Sequence, residues 1–371
     1  MLSRRALLRA AAQGAAAWPL LPLSAGAAAP RPLREIAASR GLLYGTYVRG
    51  EMLGTDPRYT ELAAREAALI VCSCPHWRNI APTPTKVDYS KVEAAYAWAR
   101  ARGMAYRGHA LLWGEAAPRW FGELPDRAAA TRALEEHIAG TCRHFAGRLH
   151  SWDVVNEAIK IGDGRPDRLR RNVFLDKIGP EYLDLAFHTA RASDPRVKLV
   201  YNEFDVEYDI PHQRNNRAAL FDLLDGFKKR GTPIDAIGIQ SHLATARMGD
   251  FSERVFRDFL RDLADRGLEI MLTELDVTDR GSPSEIAPRD AEVASCYRRY
   301  LDVALANPAV TTVVSWGLTD RNSWITSGTY PETKRQDGLP ARPLAFDADC
   351  RPKPAYAAIA AALDGAPRRR G

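Results

Sequence analysis

Cysteine is scarce in this sequence. The 371 residues contain five cysteines, an odd number that is too small for a disulfide framework. Two of them lie in Cys72-Ser-Cys-Pro-His76, but no second Cys/His pair follows at the spacing of a zinc site. The sequence therefore excludes a small disulfide-stapled domain, and we expect no metal.

Hydrophobic runs long enough to span a membrane are also absent beyond the N-terminus. The first 27 residues combine an arginine pair, Arg4 and Arg5, with an apolar Ala/Leu run and small residues at Ala25-Gly-Ala27. This order is that of a cleavable export signal, and the paired arginines indicate the twin-arginine route. We predict an export signal over residues 1–27, a periplasmic or secreted protein, and no membrane contact once the signal is removed.

Excess positive charge is absent from the body of the chain. The formal net charge is +6, but Arg4, Arg5 and Arg9 lie at the start and residues 368–370 are three arginines at the end. Without those six residues the chain is close to neutral. A nucleic-acid-binding protein carries its basic surface on the folded domain, so we expect no nucleic-acid partner. Residues 367–371 are predicted to be a basic, disordered tail.

Several motifs of other enzyme classes are missing. Neither of the glycine-rich phosphate loops, G-x-G-x-x-G and G-x-x-x-x-G-K-[ST], follows a predicted strand. The serine-esterase elbow G-x-S-x-G and the zinc-protease motif H-E-x-x-H do not occur either. We therefore expect no cofactor.

The chain does contain a regular alternation of apolar and amphipathic segments. The predicted strands are Leu42–Val48, Ala68–Cys72, Met104–Leu111, Trp152–Asn156, Lys198–Asn202, Ala236–Gln240, Glu269–Thr273 and Thr312–Trp316. The predicted helices are Asp56–Ala67, Ser90–Arg102, Ala128–Phe145, Pro180–Ala192, Asn215–Lys229, Ser252–Arg266, Pro288–Ala306 and Ala355–Leu363. Apolar strands that alternate with helices favour a parallel sheet covered by helices. With no linker or repeat to divide the chain, we predict one α/β domain, a (β/α)8 TIM barrel, over residues 28–366.

Polar and aromatic residues gather where these strands end. In a (β/α)8 barrel, catalytic groups lie at the carboxyl ends of the strands. The candidates at those ends are His109, Trp113, Asn156, Glu157, Asn202, Gln240, His242, Glu274, Asp276, Trp316 and Trp324. We therefore predict a functional cleft at that end of the barrel.

Glu157 and Glu274 carry the strongest functional signal. Each directly follows a buried run, where a charge is costly unless it is used or paired. A carboxylate pair, one protonated and one ionised, is what glycoside hydrolysis requires. The flat rings of Trp113, Trp316 and Trp324 can stack on sugar rings. These residues indicate a glycoside hydrolase, with salt-bridged residues at a barrel mouth as the alternative.

The motifs around these residues resemble those of one enzyme family. They are Arg107-Gly-His109, Trp152-Asp-Val-Val-Asn-Glu157, Gln240-Ser-His242, Thr273-Glu-Leu-Asp276, Trp316-Gly-Leu-Thr-Asp-Arg-Asn-Ser-Trp324 and Pro352-Lys-Pro-Ala-Tyr356. In this order they resemble glycoside hydrolase family 10, the endo-β-1,4-xylanase family, over nearly the whole chain after the predicted signal. The resemblance implies a (β/α)8 barrel and retaining hydrolysis of β-1,4-linked xylan.

The resemblance also implies roles for individual residues. Glu157 matches the acid/base and Glu274 the nucleophile, while His242, backed by Asp276, matches the pair that positions the nucleophile and keeps it ionised. The residues that match sugar-binding positions are His109, Trp113, Asn156, Asn202, Gln240, Trp316 and Trp324.

One region departs from the family pattern. After the second strand the family usually reads Glu-Asn-x-Met-Lys-Trp, and its Glu, Asn and Lys hold the next sugar on the non-reducing side. This chain has Cys72-Ser-Cys-Pro-His76 before Trp77, and Trp113-Gly-Glu-Ala116 where the family has Trp-His-x-Gln. Loss of hydrogen-bonding groups costs discrimination as well as affinity. We therefore expect a divergent glycone subsite, with His76 as a further substrate-binding candidate.

Three alternatives remain open from the sequence. The substrate could be a β-glycan other than xylan, such as a bacterial exopolysaccharide; the reaction could be transglycosylation; or the barrel could bind sugar without catalysis. The last is disfavoured because a retired enzyme need not keep both carboxylates together with Asn156, His242 and Asp276. We expect a monomer that acts on a polysaccharide.

Overall fold

The computed structural model describes residues 30–327 and 330–369. The predicted export signal, residues 1–27, lies outside the described residues and stays a prediction. A compact unit begins at Pro32. In the described part of the chain, no helix has both the length and the apolar character that crossing a membrane requires.

Eight parallel strands form a closed barrel. The strands of the structure are β1 (Leu43–Tyr47), β2 (Leu69–Cys72), β3 (Ala105–Gly108), β4 (Leu112–Trp113), β5 (Ser151–Asn156), β6 (Lys198–Glu203), β7 (Ala236–Ile239), β8 (His242–Ala244), β9 (Glu269–Thr278) and β10 (Val310–Ser315). The barrel order is β1-β2-β3-β5-β6-β7-β9-β10, and β10 pairs in parallel with β1 to close it. The short strands β4 and β8 pair with β5 and β9. The predicted (β/α)8 barrel is confirmed.

Helices follow the strands as expected, with additional short ones. They are α1 (Leu33–Ala38), α2 (Pro57–Glu66), α3 (Trp77–Ile80), α4 (Ser90–Arg100), α5 (Arg119–Gly122), α6 (Arg127–His144), α7 (Val173–Ile178), α8 (Tyr182–Ser193), α9 (Pro211–Arg230), α10 (Glu253–Ala264), α11 (Ile286–Leu305), α12 (Trp324–Ser327) and α13 (Pro354–Gly365). The sequence did not predict α1, α3, α5, α7 and α12. These helices have only four to six residues, too few to show a helical period.

Side-chain caps fix where several helices begin. The Asp56 carboxylate accepts from the backbone N–H of Tyr59 at 3.0 Å, and Pro57 occupies the first turn of α2. Asp126 caps α6 in the same way through Ala129 at 2.8 Å. These bonds satisfy amide groups that have no partner within the helix, so the loops that precede the helices end at defined points.

The barrel strands are buried on both faces, which explains their continuous apolar runs. In β2, Leu69 and Val71 pack in one hydrophobic cluster with Val314. The alternate residues Ile70 and Cys72 belong to the large cluster that includes the helices. Successive strand residues point to opposite faces, so both faces of β2 are covered and no polar residue is tolerated until the strand ends.

The third predicted strand is interrupted in the structure. We predicted Met104–Leu111 as one strand, whereas β3 ends at Gly108 and β4 begins at Leu112. A cis peptide bond joins His109 to Ala110 between them. The backbone N–H of Leu111 donates to the carbonyl of Asp153 at 2.9 Å and keeps this segment beside β5.

Arg369, which lies in the predicted tail, is bonded to the body of the domain. Arg369 donates its backbone N–H to the Arg40 carbonyl at 2.8 Å. Its guanidinium donates to the backbone carbonyls of Leu305 and Val310 at 2.8 and 3.0 Å. The prediction of a disordered tail from residue 367 is therefore wrong for Arg369, because this side chain satisfies carbonyls at the end of α11 and the start of β10.

Candidate active site

The carboxyl ends of the barrel strands surround an open cleft of about 470 Å³. Ten of the twelve residues predicted for the site line this cleft. They are His76, His109, Trp113, Asn156, Glu157, Gln240, His242, Glu274, Trp316 and Trp324. The other two, Asn202 and Asp276, are buried and contact residues of the cleft wall.

Glu157 directly follows β5 and has a left-handed backbone, with φ at +58°. This conformation costs a non-glycine residue roughly 1–2 kcal/mol, so its surroundings must hold it. The N–H of Glu157 donates to the carbonyl of Asn202 at 2.9 Å, and its carbonyl accepts from Arg170 Nε at 2.8 Å. The carboxylate accepts from Trp113 Nε1 at 3.1 Å and from Gln240 Nε2 at 3.0 Å. The turn and these contacts fix the carboxylate in the cleft.

The surroundings of Glu157 favour its protonated form. Burial raises the pKa of its carboxyl group, and the charge of Glu274 raises it further. Hydrogen bonds from Gln240 and Trp113 and the charge of Arg170 oppose this shift without reversing it. A carboxyl group that keeps its proton to higher pH can donate that proton to a leaving group.

Glu274 lies within β9 and is held in the opposite protonation state. Its Oε1 accepts from Asn202 Nδ2 at 2.8 Å, and its Oε2 lies 3.4 Å from His242 Nε2. Burial alone would raise the pKa of Glu274. The hydrogen bond from His242, the charges of His109 and His242, and the Asn202 amide outweigh burial and hold this pKa below its usual range. Glu274 is therefore an ionised carboxylate in the same cleft.

His242 is held between two carboxylates. Its Nδ1 lies 2.9 Å from Asp276 Oδ1, and the Nε1 of Trp324 donates to Asp276 Oδ2 at 2.6 Å. Burial would lower the pKa of His242, but Asp276 and Glu274 together raise it far above its usual value. The imidazole is therefore protonated and can donate from both nitrogens. These are the contacts that the predicted supporting role of His242 and Asp276 requires.

A second histidine, His109, lies near Glu274 and favours its ionised form. Its Nδ1 lies 2.8 Å from Asp153 Oδ2, and Asp153 also accepts from the buried guanidinium of Arg107. Burial lowers the pKa of His109, but the hydrogen bond with Asp153 and the charges of Glu274 and Asp153 raise it above its usual value. The field of His109 therefore helps to keep Glu274 ionised.

Asn156 joins the polar ends of three neighbouring strands. Its Oδ1 accepts from Asn202 Nδ2 at 2.8 Å and from Gln240 Nε2 at 3.3 Å. Its Nδ2 donates to Glu157 Oε1 at 3.2 Å. The amide orientation is thereby fixed, with its N–H groups on the side of Glu157, where they can also meet a sugar hydroxyl.

The position of Asn202 corrects its predicted role as a substrate-binding residue. Asn202 is completely buried and does not line the cleft. Its Nδ2 donates to Asn156 and to Glu274, and its Oδ1 accepts from the Thr273 hydroxyl at 2.6 Å. Asn202 is therefore a positioning residue for Glu274, because a sugar cannot reach it.

Three tryptophans line the cleft as predicted. Two of them donate hydrogen bonds from the indole N–H to a carboxylate: Trp113 to Glu157 and Trp324 to Asp276. The ring of Trp316 lies 4.4 Å from that of Tyr47, centroid to centroid, at an interplanar angle of 32°. Apolar ring surface therefore lines the cleft beside the carboxylates, as sugar stacking requires.

The sequence did not reveal Arg170, which contacts the candidate acid/base directly. One guanidinium nitrogen lies 3.4 Å from Glu157 Oε2, and another lies 3.5 Å from Glu115 Oε1. The guanidinium also lies over the ring of Phe204, 5.5 Å from its centroid. Arg170 comes 13 residues after Glu157 in a loop, where the strand-end rule gives no signal.

The altered end of β2 contributes two residues to the cleft. Ser73 and His76 line it, whereas Cys72 is buried with its Sγ 3.0 Å from Tyr106 Oη. His76 is buried, and its Nε2 has no hydrogen-bond partner in the described part of the chain. It lies 5.2 Å from the Trp113 ring, centroid to centroid.

The end of β1 also supplies polar groups that the sequence did not indicate. Tyr47, Arg49 and Glu51 line the cleft beside Ser73. The hydroxyl of Ser73 donates to Tyr47 Oη at 3.4 Å. The divergent side of the cleft therefore has polar groups from β1 in addition to Ser73 and His76.

Comparisons with known proteins agree with this geometry. The sequence profile of Glycosyl hydrolase family 10 matches residues 32–362. Endo-1,4-beta-xylanase B of Thermotoga neapolitana is 30% identical over 88% of this chain and 90% of its own length. Endo-1,4-beta-xylanase 1 of Humicola insolens is 30% identical over 92% of this chain and 76% of its own length.

Solved structures show the same likeness. Xylanase 10B of Thermotoga petrophila, crystallised in complex with xylobiose, superposes with a TM-score of 0.80 over 91% of this chain and 99% of that chain, at 30% identity. The closed barrel, the paired carboxylates and these matches lead to one conclusion: the chain belongs to glycosyl hydrolase family 10.

Proposed function

We propose that this protein hydrolyses β-1,4-linked xylan, or a decorated xylan, with retention of anomeric configuration. One observation carries the proposal. Glu157 and Glu274 line one cleft, and their surroundings shift their pKa values in opposite directions. Two carboxyl groups in opposite protonation states are what a double displacement requires.

In the first step, the ionised Glu274 attacks the anomeric carbon of the sugar. A bond forms between a Glu274 carboxylate oxygen and that carbon, and the glycosidic C–O bond breaks. Glu157 gives its proton to the departing oxygen, so the leaving sugar departs as an alcohol. The product of this step is a glycosyl ester on Glu274, with Glu157 ionised.

In the second step, a water molecule replaces the leaving sugar. Glu157 takes a proton from this water while the oxygen attacks the anomeric carbon, which breaks the ester and regenerates ionised Glu274 and protonated Glu157. Ester formation removes the negative charge of Glu274, and that charge raises the pKa of Glu157. Glu157 is therefore a stronger acid in the intermediate, which favours its ionised form at the moment when a base is needed.

The relatives support xylan as the substrate. The matched proteins from Thermotoga neapolitana and Humicola insolens are endo-1,4-beta-xylanases, and the matched Thermotoga petrophila structure contains xylobiose. Glu157, Asn156 and Gln240 form a hydrogen-bonded cluster suited to the reacting sugar. Asn202 links this cluster to Glu274. The altered end of β2 supports a decorated xylan over the plain polymer.

Product analysis tests the proposal. The mature protein is incubated with linear xylan, glucuronoxylan, arabinoxylan, mixed-linkage glucan and bacterial exopolysaccharides, and Glu274→Ala is the control. We expect xylo-oligosaccharides whose new reducing ends are first formed as the β-anomer, as seen by NMR. Release of the α-anomer first would contradict retention. If only a non-xylan glycan were cleaved, xylan would be rejected as the substrate. If no glycan were cleaved, the whole proposal would be contradicted.

A second test follows the fate of Glu274. Glu274→Ala lacks the attacking carboxylate, so turnover should fall by about 10⁴-fold or more. Azide enters the space left by the carboxylate and should restore cleavage of an activated aryl β-xyloside, giving the α-glycosyl azide. Glu269→Ala, in the same strand and outside the cleft, is the control and should keep its activity. In Glu157→Ala, azide should instead attack the glycosyl ester on Glu274 and give the β-glycosyl azide. This product would identify Glu157 as the acid/base.

We also propose that residues 1–27 direct export of the folded enzyme. The arginine pair Arg4 and Arg5 and the small residues before Ala27 support this role. Replacing both arginines by lysine should leave the full-length protein in the cytoplasmic fraction, while the unchanged chain is found processed outside the cytoplasm. Equal export of both forms would contradict the twin-arginine route.

A further inference from the structure

The segment after β1 lies against the altered end of β2. Strands β1 and β2 pair in parallel, so their carboxyl ends are side by side. A Cβ atom at Gly50 would lie only 2.8 Å from Cys74 Sγ, so the close approach depends on glycine at position 50. This contact places Arg49 and Glu51 beside Ser73 on the wall of the cleft.

Arg49 is the cation of this wall that has no carboxylate partner. The other cationic groups that line the cleft each lie within 4.0 Å of a carboxylate: Arg170 of Glu157 and Glu115, His109 of Asp153, and His242 of Glu274 and Asp276. Across residues 30–327 and 330–369, no ion pair within 4.0 Å and no side-chain hydrogen bond involves the Arg49 guanidinium. The group is therefore available to a ligand.

The backbone of Arg49 is held in place although its charge is not neutralised. Its N–H donates to the hydroxyl of the buried Tyr59 at 3.2 Å, and its carbonyl accepts from the Met52 N–H at 2.9 Å. The residue is half-buried. A positioned guanidinium offers only donors, in a planar fork that matches a carboxylate.

The neighbours of Arg49 do not compete for this role. His76 is neutral, because burial and the nearby charges of His109 and Arg78 lower its pKa well below the usual value. Its buried Nε2 lacks a hydrogen-bond partner among the described residues, so it can serve a sugar hydroxyl. Glu51 is exposed to solvent, where water and ions screen its charge.

We propose that this side of the cleft binds a sugar bearing a carboxylate, a uronic acid, with Arg49 as the receptor of the carboxylate. His76 meets a hydroxyl of the same sugar or its neighbour. The inference rests on the proposed function and narrows its substrate to a uronic-acid-decorated xylan. Arg49 is then the specificity-determining residue, because it forms a charge-assisted bond that an unsubstituted xylan cannot offer.

The test compares two xylo-oligosaccharides of equal length, one unsubstituted and one with a single glucuronic acid. Their kcat/KM values are measured for the wild type, Arg49→Gln, Glu51→Gln and Arg58→Gln. Arg58 is an exposed arginine of α2 outside the cleft, so its variant controls for the loss of net charge. We expect the wild type to prefer the acidic substrate by about tenfold or more at low salt, with a smaller preference at high salt.

Arg49→Gln should lose this preference, so that its kcat/KM values for the two oligosaccharides become similar, while Glu51→Gln and Arg58→Gln should retain the preference. Equal rates of the wild type on both substrates would overturn the inference and leave the proposed function intact. If Arg49→Gln lowered kcat/KM equally for both substrates, the inference would also be overturned, because Arg49 would then bind neutral sugar hydroxyls.

Binding separates failure of the inference from failure of the proposed function. Both oligosaccharides are titrated calorimetrically against Glu274→Gln and against the double variant that also carries Arg49→Gln. Binding of the acidic oligosaccharide that depends on Arg49, without hydrolysis by the wild type, would support the inference and reject xylan hydrolysis. Absence of any Arg49-dependent difference in binding would reject the inference whatever the rates.

Discussion

Asn202 donates a hydrogen bond to Glu274 at 2.8 Å, from the end of β6 to β9. The Thr273 hydroxyl donates to the opposite side of the same amide at 2.6 Å, so the amide cannot turn over. The NH₂ group of Asn202 must therefore face Glu274, where it stabilises the charged carboxylate and not the neutral acid. A buried residue that never meets the sugar thus helps to set the protonation state of the proposed nucleophile.

The space that Asn202 occupies depends on a glycine in β7. A Cβ atom at Gly238 would lie 2.2 Å from Asn202 Oδ1 and 2.9 Å from Thr273 Cγ2. Gly238→Ala should therefore displace the amide, lower kcat by about 10²-fold, and move the acidic limb of the pH–rate profile to higher pH. Gly162→Ala has open space around it and serves as the control. Full activity of Gly238→Ala would show that the amide position is unimportant.

Arg170 should control the alkaline limb of the pH–rate profile. Its charge lowers the pKa of Glu157 against the effect of burial, so Arg170→Gln should raise that pKa. The acid/base then keeps its proton to higher pH, and the alkaline limb of kcat/KM moves upward. The neighbouring Arg171, whose backbone N–H and guanidinium bond to Asp163, gives the matched variant Arg171→Gln, which should leave the limb in place. A downward shift in Arg170→Gln would contradict this account.

Asp276 should control the acidic limb through His242. Asp276 raises the pKa of His242, and protonated His242 lowers the pKa of Glu274. In Asp276→Asn the imidazole loses its proton more readily, the pKa of Glu274 rises, and activity is lost at a higher pH than in the wild type. Trp324→Phe removes the indole bond to Asp276 but leaves the Asp276 carboxylate in place, so it should shift the limb less, whatever its effect on sugar stacking. The measurement is the pH at which kcat/KM falls on the acidic side, for the wild type and both variants. The same value in all three proteins would contradict the coupling between Asp276, His242 and Glu274.

Stability should fall with rising pH because of a buried carboxyl group behind the cleft. Glu203 accepts bonds from the Tyr201 hydroxyl and the Ile159 N–H, and burial raises its pKa to about 8. The folded state keeps a proton that the unfolded chain releases above its ordinary pKa of 4.5. The free energy of unfolding therefore decreases between about pH 4.5 and 8.

Glu203→Gln removes one titrating group and should make this decrease shallower, as measured by urea unfolding at several pH values; burial also raises the pKa values of Glu207 and Asp320, to about 7 and about 6, so part of the decrease remains. Glu123→Gln, an exposed residue after α5, is the matched substitution and should keep the wild-type slope. A Glu203→Gln protein with an unchanged slope would place the pH dependence elsewhere.

The sequence predicted the barrel and most of the site because both follow from local patterns. Apolar strands end in polar residues, and closure of the barrel brings those ends together, so Glu157, Glu274 and His242 could be placed in one cleft without knowing a single distance. Their individual roles came from the resemblance to the family. The same rule misplaced Asn202, because a strand end does not reveal whether a side chain faces the cleft or the layer behind it.

Arg49 and Arg170 escaped prediction for a different reason. Both lie outside the strands, and loop residues carry no periodic signal. Their positions depend on contacts between distant segments, such as the approach of Gly50 to Cys74 and the bond from Arg170 to the Glu157 carbonyl. Such contacts exist only once the whole barrel has formed, so a local pattern cannot contain them.

The seam between β1 and β10 also determines when the protein can finish folding. Thr46 and Ser315 meet across this seam although 269 residues separate them in the chain. While the ribosome makes those residues, the free edge of β1 has no permanent partner and is exposed to pairing with other chains. A chaperone that covers this edge before Ser315 has been made should therefore increase the yield of folded enzyme more than one that acts after release.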